Sequence, residues 1–446
     1  MSYHQKEDKQ PSTSTLSLSL PTEKPKEQTM AWAWLGTVVC MVLNASCAIM
    51  WMTASSTPTV MADWMDISLT QLNWLSNGSA ILNTLVSFIT PLAYDKLGIK
   101  SSLILCGLLN ALGCWVRTLA ILMPIEKRYA LFMTGQMIAS LGGPLVYNLA
   151  AKFVSIWFAP KDRGLASLLL SIQVGMALGP LLLPLICPTP SQVPRMLFTV
   201  SGLSTLAALP TFLIPPQPSI PPCLSATLER DSLWNGIRSI SKHAQFWWLT
   251  LMTSVSIGMV LSVSVLIMEA IAPFGYSDQQ AGVCAAAVVL AGCLGGVMSG
   301  YWLGKTAQYF MLLRLLTPMM VFSYVMFIFN FIPNAFATVL IACIINGFFS
   351  YALLPIYIEL AAEITYPISE SISSCLLWGF ITIAMLIFSI VIDALRAGPE
   401  ASPPNNMKLS MVVVAVIVGV GNLPCLWLKG KLNRLKEDQH KEQGFS

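Results

Sequence analysis

The stretch Pro91-Leu92-Ala93-Tyr94-Asp95-Lys96-Leu97-Gly98-Ile99-Lys100 stands where two long apolar runs meet, one near residues 71 to 94 and one near 101 to 123. Each run reaches the roughly 20 residues that a helix needs to cross a bilayer. A short charged turn containing a glycine is what a helical hairpin requires where it meets water. Gly98 permits the reversal, Asp95 can accept from a neighbouring helix N-terminus or a cation, and Lys96 and Lys100 stay beside an anionic leaflet.

Outward from this turn, apolar runs broken by Pro, Gly and charged clusters place further helices near 31 to 56, 129 to 158, 164 to 187 and 194 to 214. Residues 215–244 then form a polar connector with Pro215, Pro216, Pro218, Pro221 and Pro222, followed by Glu229-Arg230-Asp231 and the basic Arg238 and Lys242. Beyond it, helices are expected near 245 to 272, 278 to 303, 309 to 332, 335 to 361, 370 to 395 and 408 to 428. The expected fold is therefore an all-α membrane protein: twelve transmembrane helices in two six-helix bundles, 30–214 and 245–428. A disordered cytoplasmic tail, 1–29, precedes them and a basic tail, 429–446, follows and anchors to the leaflet.

Composition points the same way. Of 446 residues 55% are hydrophobic and only 10% charged, with a mean hydropathy of +0.69. An ordinary soluble domain carries about 25% charged residues, so a globular soluble enzyme is excluded. Setting aside the two tails leaves 399 residues, about 33 for each of twelve spans. The head is neither a signal peptide nor a transit sequence, so the first span is expected to double as the insertion signal. The net charge of +4 is small for this length and implies no nucleic-acid partner.

Eleven cysteines are scattered as singles without metal-ligand spacing and read as small buried hydrophobes; no metal or cofactor is expected. The glycosylation triplets at Asn44 and Asn77 fall inside expected spans and carry no topological information. With both termini cytoplasmic, the inside segments collect 19 of the 25 Lys and Arg, leaving Arg117, Lys127, Arg128, Arg195, Arg396 and Lys408 in outside loops. That is the asymmetry of the positive-inside rule. Two six-span halves joined by a long connector suggest a transporter with its site between the halves near the bilayer midplane; a twelve-span channel or membrane enzyme shows the same hydropathy, so the motifs decide.

The Pro91 to Lys100 turn resembles the signature loop of the major facilitator superfamily, which opens with Gly and continues Asp-Arg-x-Gly-Arg-Lys or a close variant; Pro91 stands in place of the leading Gly. Its echo in the second half, Gly300 to Thr306, has Gly304 where an acid is expected, so a latch there should be weaker. Further stretches resemble a narrower group, the feline leukaemia virus subgroup C receptor-related transporters (solute carrier family 49). They include Asn44-Ala45-Ser46 leading to Trp51, Leu72-Asn73-Trp74-Leu75-Ser76, Leu109-Asn110-Ala111-Leu112-Gly113 and Ser155-Ile156-Trp157-Phe158-Ala159-Pro160-Lys161. The second half adds Tyr276-Ser277 with Ala281-Gly282, and Glu359-Leu360-Ala361-Ala362-Glu363 with Thr365-Tyr366-Pro367 and Glu370; the likeness covers nearly all of 31–428.

This resemblance implies alternating access and a substrate such as choline, ethanolamine or a haem-related compound. In the family a tryptophan on span one and a tyrosine on span seven enclose the cation, and glutamines on spans four and eleven add polar contacts. Trp51 matches the tryptophan, whereas the other three positions hold Gly143, Leu261 and Thr382. An aromatic face attracts a quaternary ammonium by about 0.5–2 kcal/mol, so one missing wall weakens selection for a cation.

The residues themselves add candidates. Trp51 is either a substrate contact or an interfacial or packing tryptophan. Gln173, ahead of Gly175 to Pro180, carries an amide that needs a partner in a neighbouring helix or in a substrate. Glu269 lies within span seven, where a charge is costly, and reads as a cation attractor, a proton carrier or a side chain reaching water. Asp393 reads as an interfacial acid. Glu359 and Glu363, four apart, share one helix face and form either a gate with the signature-loop cations or a solvated helix end. Gly292, Gly296 and Gly300 make a smooth ridge for a neighbouring helix.

The expected function is a secondary transporter of a small organic solute, an amino alcohol, vitamin-like cation or haem-related compound, embedded in the lipid bilayer and working as a monomer. No ATP-binding loop is present in the sequence, so uphill transport would need an ion gradient, with a proton as the candidate coupling ion, and a facilitated uniport is equally allowed. A non-transporting receptor or nutrient sensor of the same fold is the alternative. An intramembrane enzyme is disfavoured, because His4, His243 and His440 all lie outside the spans.

Overall fold

The structure, a computed structural model, describes residues 29–158, 162, 166, 169–170, 174–217, 233–306, 308–330, 333–365, 368, 370–398 and 400–428. The tails, most of the connector and Gln173 lie outside the described residues.

Span one is the helix Ala31–Met52. The helix Leu69–Thr118 leaves helical geometry only at Gly98, with φ 79° and ψ 170°, and this divides it into spans two and three. Only a residue without Cβ tolerates that φ cheaply, and the reversal falls on the glycine of the quoted turn. Ser68 and Gln71 cap the start reciprocally, the Ser68 hydroxyl accepting from the Gln71 N–H and the Gln71 side chain from the Ser68 N–H.

Span four is in three pieces, Ile125–Gly142, Pro144–Tyr147 and Ala150–Trp157. Pro144 has no N–H for the helix ladder, and the regular helix is interrupted at Gly143 and again at Asn148. Span five is described from Val174 to Ile186, with Pro180 and Pro184 inside it. Span six is Val193–Ala208 with a short 3-10 turn at each end.

The connector ends in a short helix, Leu233–Ile240. Spans seven to twelve follow as Ala244–Ile271, Asp278–Thr306, Tyr309–Asn330, Phe336–Thr365, Glu370–Ala394 and Lys408–Gly421.

Among the described residues nine helical stretches are long and apolar enough to cross a membrane. One of them, Leu69–Leu122, counts twice because of Gly98, and the broken span four and partly described span five complete twelve passes.

Two buried apolar clusters lie wholly within residues 33–214. A third lies almost wholly within 240–428 and is joined by Ala48, Met52, Met176 and Ala177 from the first half. Large apolar side chains such as Leu85, Leu112, Leu206, Phe322, Phe329 and Val416 remain exposed, as a lipid-facing surface requires.

Neighbouring spans touch backbone to backbone. A Cβ on Gly113 would sit 2.4 Å from the Ala139 nitrogen, and one on Gly347 2.0 Å from the Val288 oxygen. The expected glycine ridge on span eight packs against span ten. A Cβ on Gly292 would stand 2.4 Å from the Tyr351 ring, but on span eight the close approach to the span-ten backbone belongs to Gly295, which the spacing of four passes over and whose Cβ would stand 2.2 Å from the Phe348 oxygen.

Two local expectations are corrected. The expected loop after span one holds a buried helix, Pro58–Met65, started by Pro58 and stopped by Asp66 at φ 55°. Arg117, expected in an outside loop, is 1% exposed: its guanidinium donates to the Met50 oxygen at 2.9 Å and lies 4.5 Å from the Phe132 ring centre. The cation is held by a helix-end carbonyl and an aromatic face rather than by water.

Candidate functional site

A cavity of about 1180 Å³, counted out to its open mouth, lies between the two halves. Its walls are mostly apolar with a few polar side chains, the make-up of a small-molecule site. Trp51, Asn83, Tyr147, Asn148 and Met176 line it from the first half, and Leu261, Tyr351, Trp378, Thr382 and Met385 from the second.

Local structure explains these positions. Trp51 is the penultimate residue of span one and half-buried. Tyr147 and Asn148 reach the cavity because span four breaks there. Gly143 is buried just behind the wall: a Cβ on it would stand 3.0 Å from the Tyr147 ring and 3.3 Å from Asn83 Oδ1, so its bareness leaves room for those two side chains. Leu261 presents an apolar side chain from span seven. Thr382 shares a 2.7 Å hydrogen bond with Thr84, joining spans eleven and two, and also donates to the Gly379 oxygen at 2.9 Å.

Glu269 stands apart from the cavity, in a cluster that ties the halves together at the end of the bundle where span seven finishes. It is 4% exposed and pairs with Arg396, which also binds Asp393 at 2.6 Å. From the first half, Asn73 Nδ2 donates to Glu269 Oε2 and to Asp393 Oδ1, each at 3.3 Å. Burial works against the Arg396 charge, but Glu269 and Asp393 outweigh it and hold the guanidinium pKa above its ordinary value. Asp393 and Arg396 thus belong to a bridged cluster; the interfacial-acid and loop-cation readings miss it because the partners lie 127 and 320 residues away. The same end carries a bond from Thr59 to Asp278 at 3.0 Å, and spans five and eight touch where a Cβ on Gly282 would meet the Pro180 oxygen at 2.1 Å.

At the opposite end, Asp95 pairs with Lys152 of span four, which lies 5.8 Å from the Tyr94 ring centre. The Tyr94 hydroxyl donates to the Leu145 oxygen at 3.0 Å, and Ser102 to the Gly98 oxygen at 2.8 Å, bracing the turn. The Asp95 side chain is 64% exposed, so the pair contributes at most about 1 kcal/mol. Lys96 is exposed and Lys100 half-buried. Glu363 is buried at 3% while Glu359, one turn earlier, is exposed.

Asn83, Tyr147, Asn148 and Trp378 are cavity residues that sequence reasoning passed over. Two amides at or within apolar runs are a legible signal, but that Asn148 faces the cavity depends on the break in span four, and that Asn83 does depends on how span two packs. Among the described residues no group of three or more His, Cys, Asp or Glu is placed to hold a metal ion.

The sequence model described as Major Facilitator Superfamily matches residues 39–389. The chain is 28% identical over 402 residues to Solute carrier family 49 member A3 of Danio rerio, covering 87% of this chain and 84% of that one. It is 25% identical over 428 residues to the Choline/ethanolamine transporter FLVCR2 of Rattus norvegicus, covering 91% and 76%. Among solved structures, a D-xylose-proton symporter superposes with a TM-score of 0.67 at 13% identity, covering 88% of this chain and 96% of that one. The Escherichia coli fucose:proton symporter FucP gives 0.60 at 14%, covering 89% and 100%. Twelve passes, a cavity between two halves and a family match spanning most of both halves lead to one conclusion: this chain belongs to the Major Facilitator Superfamily.

Proposed function

We propose that this transporter carries a small organic solute by alternating access, with the bundles 30–214 and 245–428 rocking about the cavity between them. The observation that carries this reading is the cavity itself, lying between halves that the Asn73, Glu269, Asp393 and Arg396 cluster joins at one end of the bundle. The positive-inside asymmetry supports both termini lying in the cytoplasm, with this cluster at the non-cytoplasmic face. Asp95 and its turn, with Lys96, Gly98 and Lys100, then brace the cytoplasmic ends of spans two to four, and Glu359 and Glu363 stand at the cytoplasmic end of span ten.

Trp51, Leu261 and Thr382 contact the solute, and Gly143 shapes the wall behind it. Glu269 acts as a gate residue whose charge is already matched by Arg396, which argues against its meeting the solute directly. Amino alcohols, vitamin-like compounds and haem-related compounds are the solutes to try, the first supported by the likeness to the choline/ethanolamine transporters of Rattus norvegicus and Felis catus.

The test is uptake into proteoliposomes of choline, ethanolamine, pyridoxine and haem, with and without an imposed pH gradient, repeated with Trp51→Ala. Uptake of one solute, reduced about tenfold or more in the variant, is expected. Specific binding without uptake of any of them would favour a receptor or nutrient sensor, and unchanged uptake in the variant would remove Trp51 from the site. A response to the gradient would add proton coupling.

A further inference from the structure

We infer that Arg117 is a positioning residue for the solute site: its guanidinium fixes where span one ends and thereby how Trp51 stands against the cavity. This rests on the reading above that Trp51 contacts the solute. Trp51 needs such a support. Its Nε1 is buried without a hydrogen-bond partner in the protein, so no polar contact of its own holds the ring. Where the ring points then follows from the backbone on either side of it. Met52, on one side, packs with the core of the second half and lies against span five, where a Cβ on Gly179 would stand 3.2 Å from the Met52 Cβ. Met50, on the other, belongs to a core of the first half, and its carbonyl accepts from Arg117 Nη1 at 2.9 Å.

Packing alone explains Arg117 poorly. A charge inside a span is costly, so a role for it is the default reading. Its Nε and Nη2 are buried and have no partner, and among the described residues no carboxylate pairs with it. A guanidinium kept for stability would have those N–H groups satisfied. What it does have is the negative end of span one and the face of Phe132, whose ring centre is 4.5 Å away. Span four makes room for its stem, since a Cβ on Gly135 would stand 2.8 Å from Arg117 Cγ and 2.6 Å from the Arg117 nitrogen. Arg117 thus links spans three and four to span one, and the link lands one residue before Trp51.

Arg117→Met and Arg117→Lys in the full chain test the inference. In Arg117→Met the Met50 oxygen keeps the Thr53 N–H at 3.3 Å, and a thioether packs well on Phe132. No buried group is stranded, so melting in detergent is expected to be no lower. By calorimetric titration with choline, ethanolamine and pyridoxine, a compound that binds the parent is expected to bind Arg117→Met about fivefold more weakly or worse, with Arg117→Lys recovering part of the loss. Added to Trp51→Ala, Arg117→Met is expected to change affinity by less than about twofold, because it acts through that ring. The ring itself is read by fluorine NMR of the 5-fluorotryptophan-labelled protein, with the Trp51 signal assigned by its loss in Trp51→Phe. That signal is expected to move in Arg117→Met and to return towards its place in Arg117→Lys, with or without solute. An unmoved signal, unchanged affinity or a fall in melting of several degrees in Arg117→Met, or additive losses in the double variant, would overturn the inference. Parent-like binding by Trp51→Ala, with the signal moving as expected, would overturn the solute contact at Trp51 and leave the positioning standing. With no binding of any of the three compounds, the fluorine signal decides alone.

Discussion

Glu269 and Arg396 show what a single residue can do when it is denied water. Their side chains are 2% and 12% exposed, and each neutralises the other while Asn73 reaches across from the opposite half. Removing one partner of a buried pair costs about 3–5 kcal/mol, because the other charge is left unmatched. Arg396→Gln is therefore expected to destabilise the arrangement in which this end is closed. Its accessibility should report this: a cysteine placed at Asn73 or Thr59 should react with a water-soluble maleimide several times faster in the Arg396→Gln background. An unchanged rate would mean that the cluster does not hold the halves together. The acid was conspicuous within an apolar run, whereas its partner read as a loop cation, because sequence separation hides the contact.

At the scale of elements, close packing depends on the absence of side chains at particular helix crossings. Gly347→Ala would drive a Cβ into the Val288 carbonyl, and overpacking of this kind costs about 1–3 kcal/mol, so the melting temperature in detergent is expected to fall by several degrees. Gly202→Ala is the control, since a Cβ there meets nothing within 4 Å and a helix gains up to about 1 kcal/mol from alanine. Equal melting of the two variants would contradict the packing described for spans eight and ten. Span positions were legible because a continuous apolar run of sufficient length has few alternatives in a bilayer. The three-piece span four was less so: Gly143 and Pro144 mark a break, but the exposure of Tyr147 and Asn148 to the cavity follows from where the broken pieces pack.

For the whole molecule, the rocking motion proposed above would require spans two and eleven to separate and rejoin. Thr84 and Thr382 touch across the halves at 2.7 Å, so a Thr84→Cys, Thr382→Cys pair is expected to cross-link under mild oxidation and to stop uptake, with recovery on reduction. Full uptake by the cross-linked protein would show that the halves do not move apart there. The paired arrangement also requires the two ends of the chain to share one side of the membrane, which accessibility labelling of each terminus reads directly.

Sequence alone determined the membrane setting, the helical class, the even number of passes and the reversal at Gly98, since each follows from local hydropathy or from one residue's allowed backbone angles. Tertiary structure decided what faces what. It brought Trp51, Asn83, Asn148, Leu261 and Thr382 to one cavity and sent Glu269 to a cluster with Asn73, Asp393 and Arg396. The physical reason is that hydropathy along a span scarcely records which side is turned inward: lipid and protein core are equally apolar, and only packing between spans breaks the tie.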